Sequence, residues 1–176
     1  MSNLTELGQL LHEEHFRILV AVCGLENRVG GAYECQPLDA ANAEDRHQLE
    51  ELVAALDEVI GHHAFEETVI FPLIRQCGKR ELTNALAIEH LAIEPMAMRL
   101  RVVADAMLQS GTGGERWSEF RAAASALIAE VLQHLQKEEL NIVQHLDEFL
   151  DPQMDHQLAL DHLADRANSR QPAFAL

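Results

Sequence analysis

His62-His63-Ala64-Phe65-Glu66-Glu67 is answered 72 residues later by His134-Leu135-Gln136-Lys137-Glu138-Glu139. Both stretches set an imidazole and a carboxylate four positions apart. On a helix such residues lie about 40° apart around the axis and about 6 Å apart along it, so each pair points to one side. The repeat extends outward. Glu14-His15-x-x-Ile18 precedes the first stretch and Glu89-His90-x-x-Ile93 the second, with 75 residues from His15 to His90. Glu58 and Glu130 recur too, each four residues before its histidine. The two halves of the chain carry one pattern twice.

Four long segments around these residues hold apolar side chains at helical spacing. The first runs from about Thr5 to Val29 and stops at Gly30-Gly31. The second runs from Asn42, a good N-cap, to Cys77, with Pro72 bending or weakening its last turns. The third covers Glu81 to Gln109 and stops at Ser110-Gly111, and the fourth covers Glu115 to Leu150 and stops before Pro152. Short connections make consecutive helices antiparallel. The expected fold is all-α, an up-down-up-down antiparallel four-helix bundle over residues 1–150. A polar C-terminal tail, 151–176, has room for one short helix from Asp155 to Arg166.

The rest of the composition excludes more than it assigns. A formal net charge of −16 argues against nucleic acid and anionic membranes as partners. No apolar run approaches the roughly 20 residues that span a bilayer. Met1 to Leu11 lacks the basic start and apolar stretch of a signal peptide. The three cysteines, Cys23, Cys35 and Cys77, form no CxxC pair and suit reduced thiols. A cytoplasmic location is the expectation.

In a bundle the four histidine-bearing faces meet at the axis. Helices two and four each offer an imidazole and a carboxylate, and helices one and three each add an imidazole. Four nitrogens and two carboxylates, each able to bridge, would give two metal ions two histidines and two oxygens apiece. Positions would remain open for water, oxo or O2. Imidazole with carboxylate suits iron, manganese or zinc, and open positions suit redox-active iron best. Burying the six groups without metal would cost several kcal/mol in desolvation.

These motifs resemble the hemerythrin family, specifically its HHE cation-binding branch. The matching strings are Glu14-His15-Phe16-Arg17-Ile18, His62 through Pro72, Glu89-His90-Leu91-Ala92-Ile93, and His134 through Glu139. The second is similar to that family's HxxxEExxLFP signature nearly position for position. The resemblance implies His15, His62, His90 and His134 as nitrogen ligands and Glu66 and Glu138 as bridging carboxylates. It implies two iron ions, oxo- or hydroxo-bridged, with zinc or manganese as alternatives. Oxygen carriers of the family place His-x-x-x-His on the third helix, where this chain has His90-x-x-x-Glu94 followed by Pro95. The family's last acid often lies five residues after its histidine, which would select Glu139. Its iron-centre repair members add a cysteine-bearing segment before the bundle, and none precedes Leu4 here.

Around the six, His63 and Glu67 form a second pair one residue out of phase. Glu58 and Glu130 are placed to accept hydrogen bonds from the far nitrogens of the ligand histidines. His12 reads as a surface or supporting residue. His145 lies on the face of His134 but about 16 Å further along. His47, His156 and His162 match no repeat and read as surface, and Cys23 reads as packing near the core face. The resulting expectation is a di-iron protein that binds or senses O2, nitric oxide or peroxide, with no catalytic residue assigned. The alternatives are a di-iron redox enzyme handling peroxide or nitric oxide, and an iron store.

Overall fold

The computed structural model of the protein describes residues 4–31, 33 and 35–169. All regular structure among them is helical. Helix α1 (Glu6–Val29) starts at Thr5, whose side chain accepts from the Gly8 N–H. Helix α2 (Ala43–Phe65) starts at Asn42, whose side chain accepts from the N–H groups of Glu44 and Asp45. A π-helical turn, Glu66–Ile70, leads into α3 (Phe71–Gln76). Helix α4 (Arg80–Ser110) continues through Pro95 and ends where Gly111 turns to φ 75°, a region a side chain would resist. Helix α5 (Gly114–Asn141) is followed by a 3-10 turn, Val143–His145, and by α6 (Leu146–Phe149). Asp151 accepts from the N–H groups of Gln153 and Met154 and so caps α7 (Pro152–Ser169).

Two expected helices are thus subdivided. The segment expected to reach Cys77, with its last turns bent or weakened by Pro72, passes through the π turn just before that proline. Proline lacks an N–H and crowds the carbonyl four residues back, and a wider turn relieves both. The segment expected to reach Leu150 leaves α geometry after Asn141. The tail expected to be polar with a short helix carries the 18-residue α7, and residues 170–176 lie outside the described part.

Helix α1 packs on α2 and α5, and α4 packs on the same two. Their apolar faces make two core clusters. The larger includes Ile18, Val22, Leu56, Val59, Ile93, Ala97, Leu127 and Val131. The smaller includes Leu7, Leu11, Ile70, Phe71, Leu86 and Ile142. Along each of the four helices the sequence passes from one cluster to the other across a histidine: His15, His62, His90 and His134. A buried polar layer therefore separates the two apolar ends.

Candidate metal centre

All six residues singled out by the repeat are in that layer, and none is more than 3% exposed. The Nε2 atoms of His15 and His62 are 2.8 Å apart, and those of His90 and His134 are 3.1 Å apart. Glu66 sets one oxygen 3.5 Å from His62 Nε2 and the other 3.5 Å from His90 Nε2. Glu138 sets Oε2 3.5 Å from His15 and Oε1 3.0 Å from His134. Each carboxylate therefore spans the two histidine pairs, one oxygen to each.

The far side of every ring explains why Nε2 faces inward. His15 Nδ1 lies 2.8 Å from Glu139, His62 Nδ1 2.7 Å from Glu14, His90 Nδ1 2.9 Å from Glu67 and His134 Nδ1 3.0 Å from Glu89. An ionised carboxylate only accepts, so each Nδ1 donates to its acid and each Nε2 faces the centre, where a ring that gives up its second proton offers a lone pair to a metal. The supports obey the repeat: Glu14 and Glu89 precede a histidine of the set, and Glu67 and Glu139 follow an acid of the set. Each serves the ring of a neighbouring helix.

The donor set fits a metal. None of the four oxygens of Glu66 and Glu138 makes a hydrogen bond, although all are fully buried. Two nitrogens each about 2.1 Å from a common ion are about 3.0 Å apart when they meet it at right angles, which both Nε2 pairs match. Two tight donor groups result, His15-His62-Glu66-Glu138 and Glu66-His90-His134-Glu138, sharing their acids.

The electrostatics agree. Burial and the charge of Glu138 raise the Glu66 carboxyl. Burial would raise Glu138 as well, but the imidazoles of His134, His62 and His90 outweigh it and hold that carboxyl well below its usual range. Burial opposes a charge on His90, yet Glu138 and Glu66 lift it to about 10. Without metal, protons supply the positive charge that this layer demands.

Other expectations need redrawing. His63 is buried and stacks on His90 with ring centres 3.7 Å apart and planes 6° from parallel. An ion held by an imidazole lies in the ring plane, so two parallel rings cannot share one, although His63 is within reach of His90 and His134. Burial and the rings of His90 and His134 push His63 down to about 2, leaving it neutral. Glu94, at the position of the carriers' fifth imidazole, has an oxygen 3.5 Å from His63 Nδ1 and belongs to neither donor group. Glu58 pairs with Arg17 and Arg166 instead of a histidine, and Glu130 is exposed. Cys23 is exposed rather than packed. By contrast His12, His47 and His156 are at the surface as read, paired with Glu139, Glu51 and Glu6, and His145 is partly exposed beside Glu148. His162, read as surface, is buried against Glu14 with its ring 4.0 Å from that of Phe65. The sequence signal for it was the spacing Asp155, Ala159, His162, Arg166, which puts one face of α7 on α1.

No helix among the described residues is long and apolar enough to cross a membrane. A family model described as hemerythrin HHE cation binding domain matches residues 9–146. Neither the curated proteins nor the solved structures compared with the chain gave a match.

Proposed function

Since this chain belongs to the hemerythrin HHE cation-binding family, we propose that it holds a dinuclear non-haem iron centre and binds or senses a small diatomic ligand or peroxide there. His15 and His62 would hold one ion, His90 and His134 the other, and Glu66 and Glu138 would bridge them. The observation that carries this reading is the placement of each carboxylate across both histidine pairs. The scaffold we propose is an up-down-up-down antiparallel four-helix bundle. It is supported by the order of partners between neighbours: Glu14 meets His62 while Arg28 meets Asp45, and Glu89 meets His134 while Arg99 meets Glu119.

When bound, a pair of iron ions supplies one-electron redox steps and open positions for a ligand. The chain's own residues do the rest. Glu14, Glu67, Glu89 and Glu139 fix the four rings in orientation and tautomer. Ile18, Ile93, Phe71 and Leu135 close the layer from both ends and exclude water. His63 lines the His90 side with a neutral ring whose buried Nδ1 makes no hydrogen bond, and the partly exposed Glu94 lies 3.5 Å from that nitrogen. A cytoplasmic setting, suited to three free and exposed thiols, is part of the proposal.

The test is iron content with an optical spectrum, in air and after reduction. Two iron ions per chain with a reduction-sensitive charge-transfer spectrum are expected. One ion or none in fully folded protein grown with ample iron overturns the dinuclear reading.

A further inference from the structure

The two halves of the repeat are supported differently, and the difference comes from α7, which lies beyond the family match. Glu89 is 24% exposed and is met by Lys137 at 2.5 Å. Its counterpart Glu14 is buried and gathers two partners from α7: His162 Nε2 donates to Glu14 Oε1 at 2.6 Å, and Arg166 donates to the same oxygen. The opposite oxygen of Glu14 accepts from His62 Nδ1 at 2.7 Å. Arg166 also reaches Glu58, which holds Arg17. Along α1 the contacts with α7 ascend together, from Asp155 on Glu6 and Leu7 to His162 on Glu14, so α7 runs parallel beside it.

We infer that His162 and Arg166 are positioning residues that act through Glu14 on His62, so that α7 stiffens one of the two metal sites and makes the pair unequal. The inference rests on the metal reading above. Glu14 can hold the His62 ring in one orientation only if its own carboxylate cannot rotate, and two donors on one oxygen remove that freedom. Phe65 packs on the His162 ring and keeps it in place. Among the described residues Glu89 is restrained on its far side by Lys137, which is nearly half-exposed. The His15–His62 ion should therefore bind more tightly and with less variation in geometry than the His90–His134 ion.

The experiment titrates cobalt(II), free of oxygen, into metal-free protein, read by calorimetry, visible absorption and the hyperfine-shifted exchangeable imidazole N–H signals in NMR. His162→Phe keeps a ring against Phe65 and removes the donor. It should weaken one of the two ions by about 10-fold, the low end of what losing a direct support of a ligand histidine costs, and speed solvent exchange of one N–H signal while the others hold. Arg166→Gln, at the half-exposed end of α7, should do the same to a smaller extent, and it serves alone if His162→Phe does not fold. Two ions in the wild type with no change at either site in the variants overturns the inference and leaves the metal reading standing. Equal weakening of both ions overturns it too, since that marks general loosening. A wild-type chain that takes up no cobalt overturns the metal reading, and the inference with it.

Discussion

The carboxyl of Glu66 lies fully buried, without a hydrogen bond, and beside a second acid. A buried acceptor left unpaired costs roughly 1–3 kcal/mol, so in the metal-free protein Glu66 opposes folding. Glu66→Leu should therefore melt higher than the wild type in chelator, while losing the rise in melting temperature that iron(II) gives. If the variant melts lower in chelator, Glu66 is satisfied in a way that the geometry does not provide. The two phases on α2 separate by role. His62→Ala should abolish binding at one ion, whereas Glu67→Ala, which removes only the support behind His90, should weaken binding by about 10–100-fold. Direct metal titration decides, and the reverse order would exchange the roles of the two phases. The six central residues were legible because a helix turns i and i+4 to the same side, and the repeat picks one phase. The supporting acids were not. Glu58 and Glu130 suited that role by spacing on their own helices, but each Nδ1 is met from a neighbouring helix. Periodicity says which face a residue occupies, not which atom across the interface it meets.

At the scale of elements, α7 is held by polar contacts more than by apolar ones. Asp155 accepts from the N–H groups of Glu6 and Leu7, giving the start of α1 a cap from another helix and a negative charge at its positive end. Asp155→Ala should destabilise the protein by about 1 kcal/mol, which lowers the melting temperature of a chain this size by roughly 2–4 °C. Asp155→Asn should recover part of that loss, because the amide oxygen still accepts; equal melting of all three forms would show that Thr5 caps α1 alone. The same polarity is why the tail escaped notice. Of its inward face only Ala159 and Leu158 are apolar, so hydrophobic spacing gives little signal, whereas Asp151-Pro152 marks its start clearly. Pro72 was legible as a disturbance, but its form as a π turn four residues after His62 was not, since nothing in the residue types distinguishes a widened turn from a kink. The starts of α1 and α2 and the end of α4 were legible, because Thr5, Asn42 and Gly111 each solve a local problem of unpaired backbone groups.

Across the whole molecule, a layer of four imidazoles and two carboxylates parts one apolar cluster from the other. Apolar burial drives each end to pack, but in the metal-free protein the layer joins them through charges that only protons balance. Metal should change that coupling. An ion that binds the folded state alone stabilises it by about 2.7 kcal/mol when free metal exceeds its dissociation constant a hundredfold. Two ions then raise the melting temperature by roughly 10–20 °C. In the proposed centre both ions would share Glu66 and Glu138, so the gain would reach both ends at once. In chelator the smaller cluster, near α3 and α7, should exchange its amide hydrogens faster than the larger one, because it buries fewer apolar side chains and can open by itself. With two equivalents of iron(II), kept free of oxygen, the two ends should reach similar protection and unfold in one transition. Hydrogen exchange resolved along the chain provides the comparison, with Leu86 and Ile142 reporting one end and Ile93 and Leu127 the other. Equal protection of both ends in chelator, unchanged by iron, would show that the layer couples them without metal, and that the buried acids are balanced by protons alone.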